Sequence, residues 1–417
     1  MRRGGLRASA RVLLIALAAG WPAHAYAQAK AGPAFEEPPS IGEAAPSRAP
    51  APLDIPALKA YFADFFSYGP GEITLAEDGA FKVPGYRLLR ATKKFVDPAS
   101  YLETQTAFLD DAGTHALVGM LFVDEERPAQ PVRTDADLET TRQLLRDKVF
   151  GRVGQGVTLD PSHDIPSWKA LSVTIETGYG HYALPVYVSA IDGRLLLIGR
   201  RWERGRSIVE QRRGMIDLTA TPFDGAKDAT VNVVEYSDMQ CPSCKKKTAE
   251  WSALVDRLKG SLAIRRYVKS YPLVQVHPWA FRAASAGRCL FQRDPGLFFR
   301  WKGNVFNRQE DLGVAALDAF AIDFAEANGV GSDEFAACYL RPASTDRILA
   351  DLAEGYVVGV RSTPTYVVDG VLVTWFTDDL MEEFLRKTYL KGAGLPLAKK
   401  AAPVAPHAPG KASPASH

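Results

Sequence analysis

The chain has only four cysteines and five methionines in 417 residues. So few cysteines cannot build the dense disulfide framework of a small secreted scaffold, and methionines this sparse argue against a thioether copper site. An excess of one charge is also missing: 50 lysines and arginines stand against 48 acidic residues. No chain-wide electrostatic footprint for nucleic acid exists. Membrane-length apolar runs are absent too. The apolar core of the N-terminal segment is about ten residues, half of the roughly 20 that a spanning helix needs.

That segment, "MRRGGLRASARVLLIALAAGWPAHAYA", runs from an arginine-rich start through its apolar core to Ala-x-Ala, the pattern of a signal peptide cleaved after Ala27. An uncleaved membrane anchor is the other reading, and no nearby cysteine invites a lipid. Removing residues 1–27 takes four arginines and no acid, leaving 46 basic against 48 acidic residues and a net charge of about −2. The expectation is a soluble, exported or periplasmic protein. Aromatics are scarce in residues 28–52 and 392–417, where proline and alanine dominate, so both read as disordered linker and tail. The remainder is too long for one ordinary core.

Residues 53–215 read as an α+β region with a faint internal repeat. "YLETQTAFLDDAGTHALVGMLF" aligns with "YALPVYVSAIDGRLLLIGRRW", each with a turn glycine (Gly113, Gly193) and a second glycine six residues on (Gly119, Gly199). Upstream, "YRLLRATKKF" and "WKALSVTIET" look like matching strands, each preceded by a helix-like stretch near 55–68 or 135–150. Tandem duplication and a chance likeness of two hairpins both remain open. After a linker-like stretch, "MIDLTATPFDGAKDAT", a second region over 216–391 begins with "VNVVEYS", an apolar run suited to a strand covered on both faces.

Two of the four cysteines follow that strand at once, in "CPSC", and Trp251, Leu254, Val255 and Leu258 then recur at helical spacing. Cys241 therefore sits where a strand hands over to a helix N-terminus. Unpaired N–H groups and the helix dipole there favour a thiolate, aided by the neighbouring thiol of Cys244 and by Lys245, Lys246 and Lys247 one turn on. Cys244, half buried, is expected to stay a thiol. Three chemistries compete. Zinc needs two more ligands, and this region offers only His277. A plain staple across three residues closes almost no chain entropy. Redox exchange needs nothing more than the pair itself.

In this order and spacing, "VNVVEYSDMQCPSCKK", "SYPLVQVHPWAFRAASAGRC" and "GVRSTPTYVVDG" resemble the DsbA-like thiol:disulfide interchange proteins over residues 225–390. A weaker likeness links "VYVSAIDGRLLLIGRRWE" to the N-terminal domains of DsbC and DsbG. The resemblance implies an α/β thioredoxin fold with a helical insertion and no bound cofactor or metal. It makes Cys241 the attacking thiolate, Cys244 the resolving thiol and Pro364 a cis-proline facing them. Thr363 then offers its backbone to a client strand, and Glu235 is a buried acid moving protons beneath the cysteines. A solvated, edge-facing carboxylate is the other reading of Glu235. Pro242-Ser243 between the cysteines departs from the Pro-His of DsbA and removes one cation from beside the thiolate, which implies a milder oxidant.

Oxidase, isomerase and reductase share these atoms, so the resemblance leaves direction open. A duplicated N-terminal region suits an isomerase, acting as an internal pseudo-dimer where relatives use a true dimer. Partners are exported protein clients and a redox protein such as a membrane oxidase or reductase. A client-binding chaperone or envelope scaffold with an accessory redox pair is the alternative. Cys289 and Cys338 remain. In an oxidising compartment a structural disulfide between them would close about 50 residues, worth roughly 4 kcal/mol in the chain-entropy model; a second redox relay or two buried free thiols are the alternatives. Alkylation and mass mapping without reductant should recover them as one linked pair. Two alkylated thiols would exclude the bridge.

Overall fold

The computed structural model describes residues 52–390 except 97–99, 126–128, 151–152 and 375–377. The expected signal peptide, nearly all of the 28–52 linker and the 392–417 tail lie outside the described residues.

The first region is one antiparallel sheet of eight strands. Helix α1 (Ile55–Ala63) precedes β1 (Gly71–Glu77), β2 (Tyr86–Phe95), β3 (Leu102–Asp110) and β4 (His115–Val123). A helical stretch over 135–150, including α2 (Glu139–Leu144), precedes β5 (Val153–Leu159), β6 (Trp168–Glu176), β7 (His181–Ser189) and β8 (Leu195–Glu203). The strand order β1-β2-β3-β4-β8-β7-β6-β5 reads alike from both edges. Helix followed by four strands thus occurs twice, and the two units join through β4 and β8.

At that seam Gly119 lies opposite Gly199. A Cβ on Gly119 would meet the Ile198 carbonyl oxygen at 2.3 Å, and one on Gly199 would meet that of Val118 at 2.2 Å. The paired glycines therefore let the two backbones approach. The turn glycines match as well, with Gly113 at φ 68° and Gly193 at φ 65°, a conformation that β-carbon sterics disfavour. Each unit buries its sheet under its own helix. Leu58, Phe62 and Phe66 cover Leu89 and Ala107 in the first, and Leu138 and Leu144 cover Leu171 and Val186 in the second. The opposite face is shared, with Phe108 of one unit packed edge-on to Trp168 of the other.

The second region holds a five-stranded mixed sheet ordered β13-β12-β10-β11-β9. Its strands are β9 (Phe223–Gly225), β10 (Val231–Ser237), β11 (Ile264–Ser270), β12 (Thr365–Val368) and β13 (Val371–Val373). Between the two regions runs α3 (Ile208–Gly214), and α4 (Pro242–Leu258) crosses from β10 to its parallel neighbour β11. The apolar run of β10 is covered on both faces, as its composition requires. The helical insertion before β12 comprises α5 (Ala280–Arg293), α6 (Pro295–Asn307), α7 (Val314–Ala327), α8 (Ser332–Cys338) and α9 (Pro342–Val358). Helix α10 (Asp378–Tyr389) ends the described chain. Cys289 on α5 and Cys338 on α8 are joined as a disulfide.

The stretch 215–230 is no loose linker, which corrects the reading of its sequence. It contributes β9 to the sheet edge, and Met215, Ile216 and Leu218 pack into the core beneath β10. Asp217 is held by Arg347, whose guanidinium lies 2.6 Å from it, and its carbonyl accepts from buried Lys269 at 2.7 Å. Periodicity cannot register such anchoring, because its apolar residues follow no helix or strand period and the rest of the contacts are polar or backbone.

The two regions also pack directly. Tyr179 stacks on Phe281 with centroids 4.2 Å apart, and α9 lies against β7. Arg212 of α3, fully buried, donates to the carbonyls of Asp64 (2.8 Å), Val358 (3.0 Å) and Gly370 (2.7 Å). One guanidinium thereby ties the end of α1, the end of α9 and the β12–β13 turn. Burial lowers its pKa to about 10, which still leaves it charged at neutral pH. Arg212→Ala strips three buried carbonyls of a donor and is expected to lower the unfolding free energy by about 3 kcal/mol, with Arg212→Lys losing roughly half as much. Urea midpoints measure this; an unchanged midpoint for the alanine variant would contradict it.

Candidate active site

Cys241 caps α4 with extended backbone (φ −72°, ψ 121°), and Pro242 opens the first turn, where its missing N–H costs nothing. The Cys241 carbonyl accepts from the N–H groups of Cys244 (3.1 Å) and Lys245 (3.3 Å). Facing this turn is the Thr363-Pro364 peptide bond, which is cis. The carbonyl oxygen of Thr363 lies 3.4 Å from Cys241 Sγ. Register explains the meeting: β12 runs antiparallel to β10 with Thr365 opposite Tyr236, so the residues just before β12 arrive beside those just after β10. The turn after β12 is Asp369-Gly370, with φ of 47° and 96°, as a two-residue hairpin of mirror-image type demands.

The two sulfurs are electrostatically opposite. The Cys241 pKa is lowered to about 5, first through a hydrogen bond from the Cys244 thiol. Burial opposes this, while the N–H groups of Cys244 and Ser243 add to it. Cys244 is fully buried and not half buried as its spacing suggested, and burial together with the neighbouring Cys241 charge pushes its pKa well up. The backbone N–H of Asp238 donates to Cys244 Sγ at 3.4 Å. Cys241 is itself buried but keeps 7 % exposure against none for Cys244, so it is the more accessible of the two residues.

The lysines after the pair do not contribute as expected. Lys245 pairs with Glu310, and Lys246 and Lys247 pair with Glu250. None of the three is among the groups that lower the Cys241 pKa.

Glu235 is fully buried in β10, which excludes the solvated reading. Its oxygens meet Lys302 Nζ at 2.7 Å and Arg266 Nη1 at 3.1 Å. Burial alone would raise its pKa, but the two cations outweigh burial and hold it below the ordinary value. Glu235 is therefore held as a carboxylate beneath the pair, and burial lowers the pKa of its partner Lys302 although the Glu235 charge opposes this.

Spacing in sequence could not find Lys302 or Arg266, since they reach Glu235 from α6 and β11. A second group was missed: Asp238 and His277, whose side chains meet at 2.7 Å beside the cysteines. His277 had drawn attention only as a lone zinc candidate. No group of three or more metal-ligating side chains occurs among the described residues.

Residues 218–387 match the family described as Thioredoxin. This part of the chain is a thioredoxin-fold domain. The Na(+)/H(+) antiporter NhaA of Herminiimonas arsenicoxydans is 32% identical over 155 residues, 37% of this chain and 23% of that protein. The chain thus spans about a quarter of the length of the curated relatives it matches, and among the described residues no helix is long and apolar enough to cross a membrane. Among solved structures, oxidised BdbD from Bacillus subtilis is 19% identical, covering 41% of this chain and 94% of that one at a TM-score of 0.36. The thiol-disulfide exchange protein alpha-DsbA2 from Wolbachia pipientis is 17% identical, covering 44% and 94% at a TM-score of 0.38.

Titration of the thiolate absorbance near 240 nm is expected to give a midpoint at about pH 5 for the reduced protein, absent from Cys241→Ala. Because the thiol titrates near 8.5 when unfolded, the lowered pKa adds stability that is complete above that value and vanishes as pH falls through about 5. Reduced protein should therefore gain on oxidised protein in urea midpoints as pH rises from about 5 to 8. A pH-independent difference would refute the assignment.

Proposed function

We propose that the protein is an exported thiol:disulfide oxidoreductase that forms or rearranges disulfides in other proteins through Cys241 and Cys244. The observation carrying this reading is the pairing of an acidified, reachable sulfur with a buried neutral one at the tip of α4. In the reductive direction the Cys241 thiolate attacks a client disulfide, forming a mixed disulfide and releasing a client thiolate that takes a proton from solvent. Cys244 then loses its proton and attacks Cys241 Sγ. The internal disulfide forms and the second client sulfur departs as a thiolate. Two electrons have passed to the client, and running the steps backwards oxidises it.

Glu235 and Lys302 supply the charged floor under this exchange, and Thr363 with Pro364 the wall where an extended client strand pairs. The palindromic sheet supports an internal pseudo-dimer: one chain provides both halves of a platform, rigidly joined to one redox domain. A platform of this kind suits an isomerase, which must hold a misfolded client while its disulfides are tried again. Residues 1–27 support export to the periplasm or beyond, and a membrane oxidase or reductase would set the resting redox state.

Cys241→Ala is expected to reduce both insulin reduction and refolding of a scrambled disulfide substrate at least 100-fold. Cys244→Ala should accumulate mixed disulfides with clients, seen as mass adducts lost on reduction. Retention of both activities in Cys241→Ala would favour the client-binding scaffold, with the cysteine pair as an accessory.

A further inference from the structure

We infer that His277, locked by Asp238, is a positioning residue that holds a positive charge beside the Cys241 thiolate and thereby shifts the redox equilibrium of the pair. The inference rests on the disulfide-exchange reading. It answers a question the sequence raised, since Pro242-Ser243 between the cysteines carries no cation.

Asp238 is the hub. Its backbone N–H donates to Cys244 Sγ at 3.4 Å and its carbonyl accepts from the Cys241 N–H at 3.2 Å. Its carboxylate is fully buried and has three partners: the N–H of Gln240 at 2.7 Å, the N–H of Leu273 at 2.8 Å and His277 Nδ1 at 2.7 Å. A buried carboxylate facing an imidazole at that distance fixes Nδ1 as a donor and leaves Nε2 to carry or release the second proton. The loop bearing His277 is sewn to the loop bearing Cys241 at two further points. Tyr271 N–H donates to the Ser237 carbonyl at 2.8 Å, and Trp279 N–H donates to Gln240 Oε1 at 2.8 Å. Swinging the ring away breaks its bond to Asp238, and moving the loop that carries it breaks the others.

The titratable groups acting on His277 are Asp238 and Cys241, and both favour the imidazolium, the Asp238 hydrogen bond most strongly. Its pKa is raised although burial opposes this. A cation that feels the thiolate must, by reciprocity, stabilise that thiolate.

The attraction exists only in the reduced state. Reduction of the Cys241–Cys244 disulfide by a client dithiol leaves a client disulfide, the Cys241 thiolate, the Cys244 thiol and one released proton. The imidazolium gains its partner in that step, so it favours the reduced pair and makes the disulfide a stronger oxidant. Once the disulfide re-forms, only Asp238 holds the charge on His277.

The test is His277→Gln and His277→Asn in the full protein. In each, the Cys241 acid constant is expected to fall about three- to tenfold, since an opposite charge at close range is worth one pKa unit or more before screening. At pH 7 the equilibrium with glutathione should move by the same factor toward the oxidised enzyme, about 30 mV for tenfold. A purely structural role would lower stability without moving either readout. NMR titration of the His277 ring in otherwise native protein supplies an arm that survives if those variants fail to fold: its pKa should fall by a like amount in Cys241→Ala. Superimposable thiolate titrations, or an unchanged His277 pKa in Cys241→Ala, overturn the inference while wild-type insulin reduction still upholds the exchange reading. Loss of that wild-type activity would remove the reading itself.

Discussion

The chemistry of this protein depends on one contact, between the first turn of α4 and the Thr363-Pro364 bond before β12. A helix tip alone polarises a thiol; here the Cys244 thiol and the N–H groups of the first turn add to it, and the Thr363 carbonyl closes over Cys241 Sγ at 3.4 Å. That convergence requires β10 and β12 to pair in one register, with Tyr236 opposite Thr365. A shift by one residue would turn the side chains of β12 to the other face and withdraw Thr363. The sheet thus sets the distance between Cys241 Sγ and the Thr363 carbonyl.

Around that contact the domain buries many charges and satisfies nearly all of them in groups. Glu235 sits between Lys302 and Arg266, and Asp351 between Lys269, Arg288 and Arg347. Such clusters contribute little net stability, since desolvation offsets most of the Coulomb attraction. They do specify geometry: each carboxylate is reached from separate elements, so a displaced helix would leave a bare charge in the core. The Asp351 cluster, extended by Glu354, also secures Asp217, the point where the chain enters the redox domain. The same logic governs Arg212, whose three carbonyl acceptors come from three parts of the fold.

The N-terminal platform follows from a different constraint. A four-stranded sheet under a single short helix leaves two edges and one face to water, and a second copy pairs one edge of each and lets the two share a face. Here the join is made inside one chain, at glycines 119 and 199, and the shared face is filled by Phe108 and Trp168. The sheet then meets the thioredoxin-fold domain through Tyr179, Phe281 and α9, so the orientation of Cys241 relative to the sheet is set by packing and not by a tether.

Much of this was legible in residue order. The buried strand before Cys241, the helix after it, the hairpin at Asp369-Gly370 and the paired glycines of the repeat are local patterns with a period or a turn signal behind them. The place of Cys241 at a helix N-terminus was legible too, from the buried strand before it and the helical spacing after it. The burial of Cys244, the neutralised lysines 245–247, the anchored stretch 215–230, the cations that hold Glu235 and the Asp238–His277 pair were decided by tertiary structure alone. Each depends on side chains brought together from distant elements, and electrostatic strength is set by distance and desolvation in space, neither of which has a period along the chain.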